Sequence, residues 1–242
     1  MLLDNLMEAK LLGIIGDGNM GWQIATLSAL RGYKVFIVGR KEKKNAFIRK
    51  SARLFGIVNQ QLDIEFTNDI KKIIQFPLII ETINEDLNNK KNILEYLNIN
   101  SPSSVICTNT SSLNPEDLII NKNKTCMLHF MNPVSSLKFV ELAYYKEFQE
   151  NDLLVKKYIK DIEFEYIQIK PIGGLIANRV LFSYLNVAER LVVNGIEEEL
   201  TDKVFSLLFG SKINTKKIKK LIGDEVFKKI MENLKSQNVI PN

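Results

Sequence analysis

Leu11-Leu12-Gly13-Ile14-Ile15-Gly16-Asp17-Gly18-Asn19-Met20-Gly21 decides how this chain is read. Residues 11–15 are a short apolar run of strand length, and the apolar positions from Asn19 to Arg31 recur at helical spacing. Between them, Gly16, Gly18 and Gly21 fall in a G-x-G-x-x-G spacing at the strand-to-helix turn. The three glycines serve the tight turn, the close approach of backbone to a pyrophosphate, and the close packing of helix on sheet. The unpaired N–H groups of the following helix would face the phosphates. Gly16, Gly18, Asn19, Met20 and Gly21 are therefore candidate cofactor-binding residues.

Outward from this turn, short β-branched runs alternate with amphipathic segments. Strands are predicted at 11–15, 34–38, 63–67, 77–83, 104–108, 125–129, 138–143 and 164–169. Helices are predicted at 19–31, 42–55, 85–98 and 151–161, and side-chain acceptors at Asn68–Asp69 and Asn114 open two shorter ones. The alternation predicts an α/β fold, a doubly wound, mostly parallel sheet of Rossmann type. After Pro171 and Gly173-Gly174 the pattern becomes wholly helical, at 175–193, 198–209 and 215–235. Two domains follow: a dinucleotide-binding domain over 1–170 and a small helical domain over 171–242.

The composition agrees with a globular chain. Of 242 residues, 45% are hydrophobic and 25% charged, which excludes disorder and small disulfide-stapled scaffolds. The two cysteines, Cys107 and Cys126, sit inside predicted strands, which argues against a disulfide framework or metal cluster, so no metal is expected. Neither a secretory signal nor a long apolar span is read from the sequence, and a cytoplasmic protein without membrane contact is expected. The net charge of +5 is concentrated: between Arg40 and Arg53, seven Lys or Arg stand against one acid, Glu42. No aromatics interleave with these bases as in a single-strand platform, so nucleic acid is not expected and a phosphate-bearing ligand or acidic partner is.

Two further features bear on chemistry. The second strand of such a fold commonly ends in an acid that holds the adenosine ribose 2′-hydroxyl, about twenty residues after the glycines. Here that place reads Val38-Gly39-Arg40-Lys41. A small residue followed by two bases suits a 2′-phosphate, so between NAD and NADP the reading leans to NADP, with Arg40 as a contact. The other feature is the single histidine, His129, at the end of a predicted strand, with Glu141 inside the next apolar run. A carboxylate among apolar residues is costly unless paired, and a turn at Asn132-Pro133 would fold the second strand back toward the first. An imidazole held by a carboxylate is a general base of fixed tautomer.

Taken together, GDGNMG at 16–21, Glu81 and Glu85 in ETINEDL, Asn109-Thr110-Ser111-Ser112-Leu113, HFMNPV at 129–134, Lys138 to Glu141 and Gly174 to Arg179 make the chain resemble the 3-hydroxyacyl-CoA dehydrogenases, including the bacterial 3-hydroxybutyryl-CoA dehydrogenases. The resemblance implies reversible hydride transfer between a nicotinamide cofactor and a 3-hydroxyacyl thioester. It implies His129 as catalytic base, Glu141 as its orienting partner, Ser111 as hydrogen-bond donor to the reacting oxygen, and Asn178 as a second polar group facing the substrate. Glu81, Glu85, Asn109 and one of Lys90 and Lys91 fall on the cofactor cleft by the same resemblance.

The chain departs from that family in a shorter segment between the second strand and Pro77 and in its ending soon after 224–235. Both trim the substrate end, so an acyl-carrier-protein thioester competes with acyl-CoA, with the 40–53 bases as its docking site. A homodimer through the helical domain is the family arrangement. The alternatives to a thioester dehydrogenase are a dehydrogenase of a free hydroxy acid and a cofactor-binding homologue without turnover.

Overall fold

A computed structural model describes residues 10–40, 53–57, 61–210 and 214–241. Lys41, Lys43, Lys44, Arg49 and Lys50, most of the basic stretch, lie outside the described residues.

The apolar runs form one sheet. Its strands are β1 (Leu11–Ile15), β2 (Lys34–Val38), β3 (Ile64–Thr67), β4 (Leu78–Glu81), β5 (Val105–Thr108), β6 (Thr125–Phe130), β7 (Phe139–Ala143) and β8 (Glu165–Ile169). Their order across the sheet is β3-β2-β1-β4-β5-β6-β7-β8. Neighbours run parallel except β6 and β7. Inner strands such as β4, β5 and β6 are buried along their whole length, as strands covered on both faces must be. On one face Leu12, Ile14, Val35, Ile37, Ile80 and Leu128 pack with Trp22, Ile24, Val155 and Ile159 from helices α1 (Asn19–Leu30) and α4 (Asp152–Asp161). The strand predicted at 77–83 is shorter, Leu78–Glu81, and the Thr82 N–H donates the last bond of its ladder with β1, to Ile15 O at 2.7 Å. Between β4 and β5 runs α2 (Leu87–Asn100), whose first turn is capped by Asp86 accepting the Asn89 N–H at 3.0 Å. Asn114 does precede a helix, the single turn α3 (Pro115–Leu118), and Asp69 caps a 3-10 turn over Ile70–Ile73.

The chain divides into two compact units, residues through Thr110 with Pro115–Pro171, and Ser111–Asn114 with Ile172–Asn242. The second is built from α5 (Leu175–Val193), α6 (Glu198–Phe209), α7 (Thr215–Ile222) and α8 (Asp224–Ser236) around Phe182, Leu185, Phe227, Ile230, Met231 and Leu234. The helix expected over 215–235 is thus two. Gly223, at φ 89°, breaks it, closing α7 with its N–H on Lys219 O and opening α8 with its carbonyl on Phe227 N, each at 2.8 Å. Ser111–Asn114, placed by the sequence in 1–170, is fastened to this unit instead. Ser111 O accepts from Asn178 Nδ2 at 2.7 Å, Ser112 O from Gln237 Nε2 at 2.7 Å, and Ser112 Oγ from Asn233 Nδ2 at 2.9 Å. No helix among the described residues is long and apolar enough to cross a membrane.

Asp202 of α6 ties three helices of this unit together. Its carboxylate accepts from Tyr184 Oη at 2.6 Å and from the Thr215 N–H at 2.9 Å and hydroxyl. Burial alone would raise its pKa, but the hydrogen bonds from Thr215 and Tyr184 outweigh it and hold the carboxyl below its usual value. A depressed carboxylate stabilises the fold above its unfolded pKa and loses that contribution as pH falls through its folded one. Asp202→Ala is expected to cost about 2–3 kcal/mol near neutral pH, since three donors lose a charged acceptor. The difference in melting temperature from the parent should narrow in acid; a difference that stays constant down to the acid limit would refute this linkage.

Candidate active site

The sheet reverses chain order between β1 and β4, the switch point at which open α/β sheets leave a crevice beyond their C-terminal strand ends. A cavity of about 880 Å³ opens there, lined among others by Gly16, Asp17, Gly18, Gly39, Arg40 and Thr82. The glycine loop is pinned into it from both sides. Gly16 N–H donates to Val38 O at 2.9 Å, and Thr82 Oγ1 donates to Ile15 O and Gly16 O, each at 3.1 Å. Gly16 has φ 116°, which a side chain would strain. A Cβ on Gly21 would run into the Gly16 carbonyl oxygen, so helix and strand meet closely only because that residue is glycine. Over Gly18 nothing lies within 4 Å of an added Cβ, and no side chain caps α1. This is an open cradle under a helix N-terminus, shaped for a pyrophosphate. Asn19 and Met20 are half-buried; Asn19 Nδ2 reaches Asn132 Oδ1 at 3.3 Å and Met20 packs on the core.

Beneath the cleft lies a buried charge network. Glu81, expected at the cofactor, is fully buried; Oε1 accepts from Lys90 Nζ at 2.8 Å and from Ile83 N at 2.6 Å, and Oε2 from Thr108 Oγ1 at 2.7 Å. Both of its carboxylate oxygens are engaged by donors of the protein itself. Of the two lysines, Lys90 is buried, donating also to Ile83 O at 3.1 Å, while Lys91 is half-exposed. Glu85 is half-buried, 3.8 Å from Lys90 Nζ, and accepts from Thr110 Oγ1 at 2.8 Å. Asn109 takes its backbone N–H to Glu81 O and accepts the Phe130 N–H with its side-chain oxygen at 2.8 Å, joining the ends of β5 and β6.

That junction positions the histidine. The chain turns at Asn132-Pro133, whose peptide bond is cis, and β7 returns antiparallel to β6 with Glu141 directly opposite His129. His129 Nδ1 lies 2.9 Å from Glu141 Oε2, and both side chains are buried. The turn is braced from the glycine-loop helix: Gln23 Nε2 donates to Asn132 Oδ1 at 3.1 Å and Gln23 Oε1 accepts the Val134 N–H at 2.9 Å. Since β4, β5 and β6 run parallel to β1, His129 stands at the same edge of the sheet as the glycine loop. Ser111 and Asn178 belong to the helical unit, where Asn178 gives its amide N–H to the Ser111 carbonyl. Cys107 and Cys126 are buried neighbours in β5 and β6, with sulfurs 3.3 Å apart. Burial holds the Cys126 thiol well above its usual pKa.

Sequence reasoning missed Asp17, Thr82, Gln23 and the inward role of Glu81. Arg40 is exposed at the cavity and Lys41 lies outside the described residues. The space above Gly39 is filled by Asp17, an acid from the loop where the strand end carries none. A glycine at the strand end paired with an acid inside the glycine loop was the signal that could have found it.

A helix N-terminus left open to an anion at a parallel-sheet switch point is the construction of a dinucleotide-binding domain of the Rossmann type. The family model described as "3-hydroxyacyl-CoA dehydrogenase, NAD binding domain" matches residues 11–168, more than half of the chain, and the chain belongs to that family. It is 26% identical over 240 residues to a probable 3-hydroxybutyryl-CoA dehydrogenase of Deinococcus radiodurans, covering 92% of this chain and 86% of that protein. To a probable 3-hydroxybutyryl-CoA dehydrogenase of Bacillus subtilis it is 25% identical over 252 residues, covering 95% and 87%. The solved (S)-3-hydroxybutyryl-CoA dehydrogenase of Ralstonia eutropha shares the fold, with a TM-score of 0.81 at 23% identity over 96% of this chain and 89% of that one.

Proposed function

We propose that the protein is an NAD-dependent oxidoreductase that interconverts a 3-hydroxyacyl-CoA and the corresponding 3-ketoacyl-CoA. The observation that carries the reading is the buried His129–Glu141 pair, at 2.9 Å, on the sheet edge that also holds the glycine loop. Bound NAD would supply the hydride acceptor at the nicotinamide, and Gly16, Gly18 and the first turn of α1 would hold its pyrophosphate. With Nδ1 committed to Glu141, proton exchange with the substrate falls to Nε2. In oxidation His129 takes the proton from the 3-hydroxyl as the hydride leaves the same carbon, and Glu141 stabilises the imidazolium that forms. In reduction the imidazolium returns the proton to the oxygen. Ser111 and Asn178 keep the roles that the family resemblance implies. Coenzyme A is the thioester handle by family membership. The bases that would dock a carrier protein are, apart from Arg40 and Arg53, outside the described residues.

The test is NADH oxidation followed at 340 nm with acetoacetyl-CoA. Saturable turnover, with 3-hydroxybutyryl-CoA reducing NAD in the reverse direction, is expected. NADH binding without turnover of any short 3-ketoacyl thioester would overturn the reading in favour of a cofactor-binding protein. Turnover confined to free 3-keto acids would move it to a different substrate class.

A further inference from the structure

We propose that Asp17, from within the glycine loop, supplies the carboxylate that receives the adenosine-ribose hydroxyls of the dinucleotide, replacing an acid at the end of β2, and thereby selects NAD over NADP. The inference rests on the dinucleotide part of the proposed function and is independent of the thioester.

The end of β2 is fixed by two backbone bonds, Gly16 N–H to Val38 O at 2.9 Å and Gly39 N–H to Thr67 O at 3.0 Å. The first of these holds the glycine loop against the strand end and so brings residue 17 over residue 39. Gly39 has no left-handed φ, so its backbone conformation does not itself call for glycine. What excludes a side chain there is Asp17: a Cβ added to Gly39 would overlap the Asp17 Cγ and lie 2.8 Å from its Oδ2. The carboxylate of residue 17 thus occupies the volume that a side chain at the end of β2 would fill. A carboxylate at that strand end is the group that accepts from a ribose 2′-hydroxyl in this fold. Asp17 is half-buried and lines the same cavity as Gly18, Gly39 and Arg40. A 2′-phosphate brought to this carboxylate would meet like charge, while a 2′-hydroxyl would donate to it. Arg40 is exposed and flanks the position without displacing the carboxylate.

The test measures binding rather than turnover, by titrating the purified protein with NADH, NADPH, ADP-ribose and 2′-phospho-ADP-ribose. The unsubstituted protein is expected to favour NADH over NADPH, and ADP-ribose over its 2′-phosphate, by about tenfold or more. Asp17→Asn, which keeps the shape, should weaken NADH and ADP-ribose by about tenfold and bring the two members of each pair within about threefold. Transferring the acid with Asp17→Gly and Gly39→Asp together should restore the preference, because the loop no longer fills the space over residue 39. An unchanged NADH-to-NADPH ratio in Asp17→Asn, or NADPH bound by the parent at least as tightly as NADH, overturns the proposal. A preference that depends on Asp17 in a protein that turns over no thioester leaves this inference standing and fells the proposed reaction. Absence of any binding by the parent fells both.

Discussion

His129→Gln is expected to lower kcat for acetoacetyl-CoA reduction about a thousandfold while leaving the dissociation constant for NADH within about twofold. In the proposed reaction the imidazole exchanges the proton with the substrate oxygen, and glutamine keeps polarity and approximate size without basicity. The glycine loop that would hold the cofactor is fixed by bonds to Val38 and Thr82 rather than by His129. Binding and proton transfer are therefore separable by one substitution. Glu141→Gln should cost less, about ten- to a hundredfold, since the base survives but loses the charge that stabilises its protonated form. Turnover by absorbance at 340 nm and NADH binding by fluorescence titration check both variants. A His129→Gln protein with a tenth of the parent turnover would end the assignment of His129 as general acid–base.

That pair was legible in the sequence because its two determinants are local. A six-residue apolar strand, an Asn-Pro turn and a second apolar strand leave antiparallel return as the compact arrangement, and strand periodicity then sets Glu141 against His129. The same holds for β1, the glycine turn and α1, where each signal is carried by neighbours in the chain. Features set by distant parts of the chain were not legible. Asp17 meets Gly39 only because β1 and β2 are adjacent and in register, with Ile15 opposite Val38. Glu81, at the end of the apolar run 78–80, reads as a cofactor contact, yet Lys90 one helical turn into α2 and Thr108 on β5 converge on it from two other elements. Ser111–Asn114 continues the β5 loop in sequence, but its backbone is hydrogen-bonded by Asn178 of α5 and by Gln237 at the end of α8, more than sixty residues later, which no local pattern reports. The break at Gly223 was an error of a different kind. A lone glycine in a helical pattern is tolerated often enough to pass, and here its positive φ ends one helix and starts the next.

The buried network below the cleft leads to the largest stability effect expected in the molecule. Lys90 and Glu81 are at 1% and 0% exposure, so each charge relies on the other and on the few groups around it. Lys90→Met preserves the apolar stem of the side chain and removes the ammonium. Glu81 then keeps only the Thr108 hydroxyl and the Ile83 N–H, an uncompensated buried charge, and the expected loss is about 3–5 kcal/mol. The loss should not be read as the net worth of the pair, because most of it is the cost of leaving a carboxylate unpaired. Adding Glu81→Gln to Lys90→Met tests this: the glutamine oxygen can accept the Ile83 N–H and its amide N–H can donate to the Thr108 hydroxyl oxygen, with no charge left to compensate, so the double variant should recover most of the stability despite having one more substitution. Urea midpoints of parent, single and double variants measure the coupling. The segment Thr82–Asn84 lines the cavity, and Lys90 holds it through the Ile83 carbonyl. NADH affinity should therefore fall in both variants, because neither replaces that hydrogen bond, even where stability returns. A double variant no more stable than Lys90→Met would mean that packing of the lysine stem, rather than charge compensation, holds the floor of the cleft.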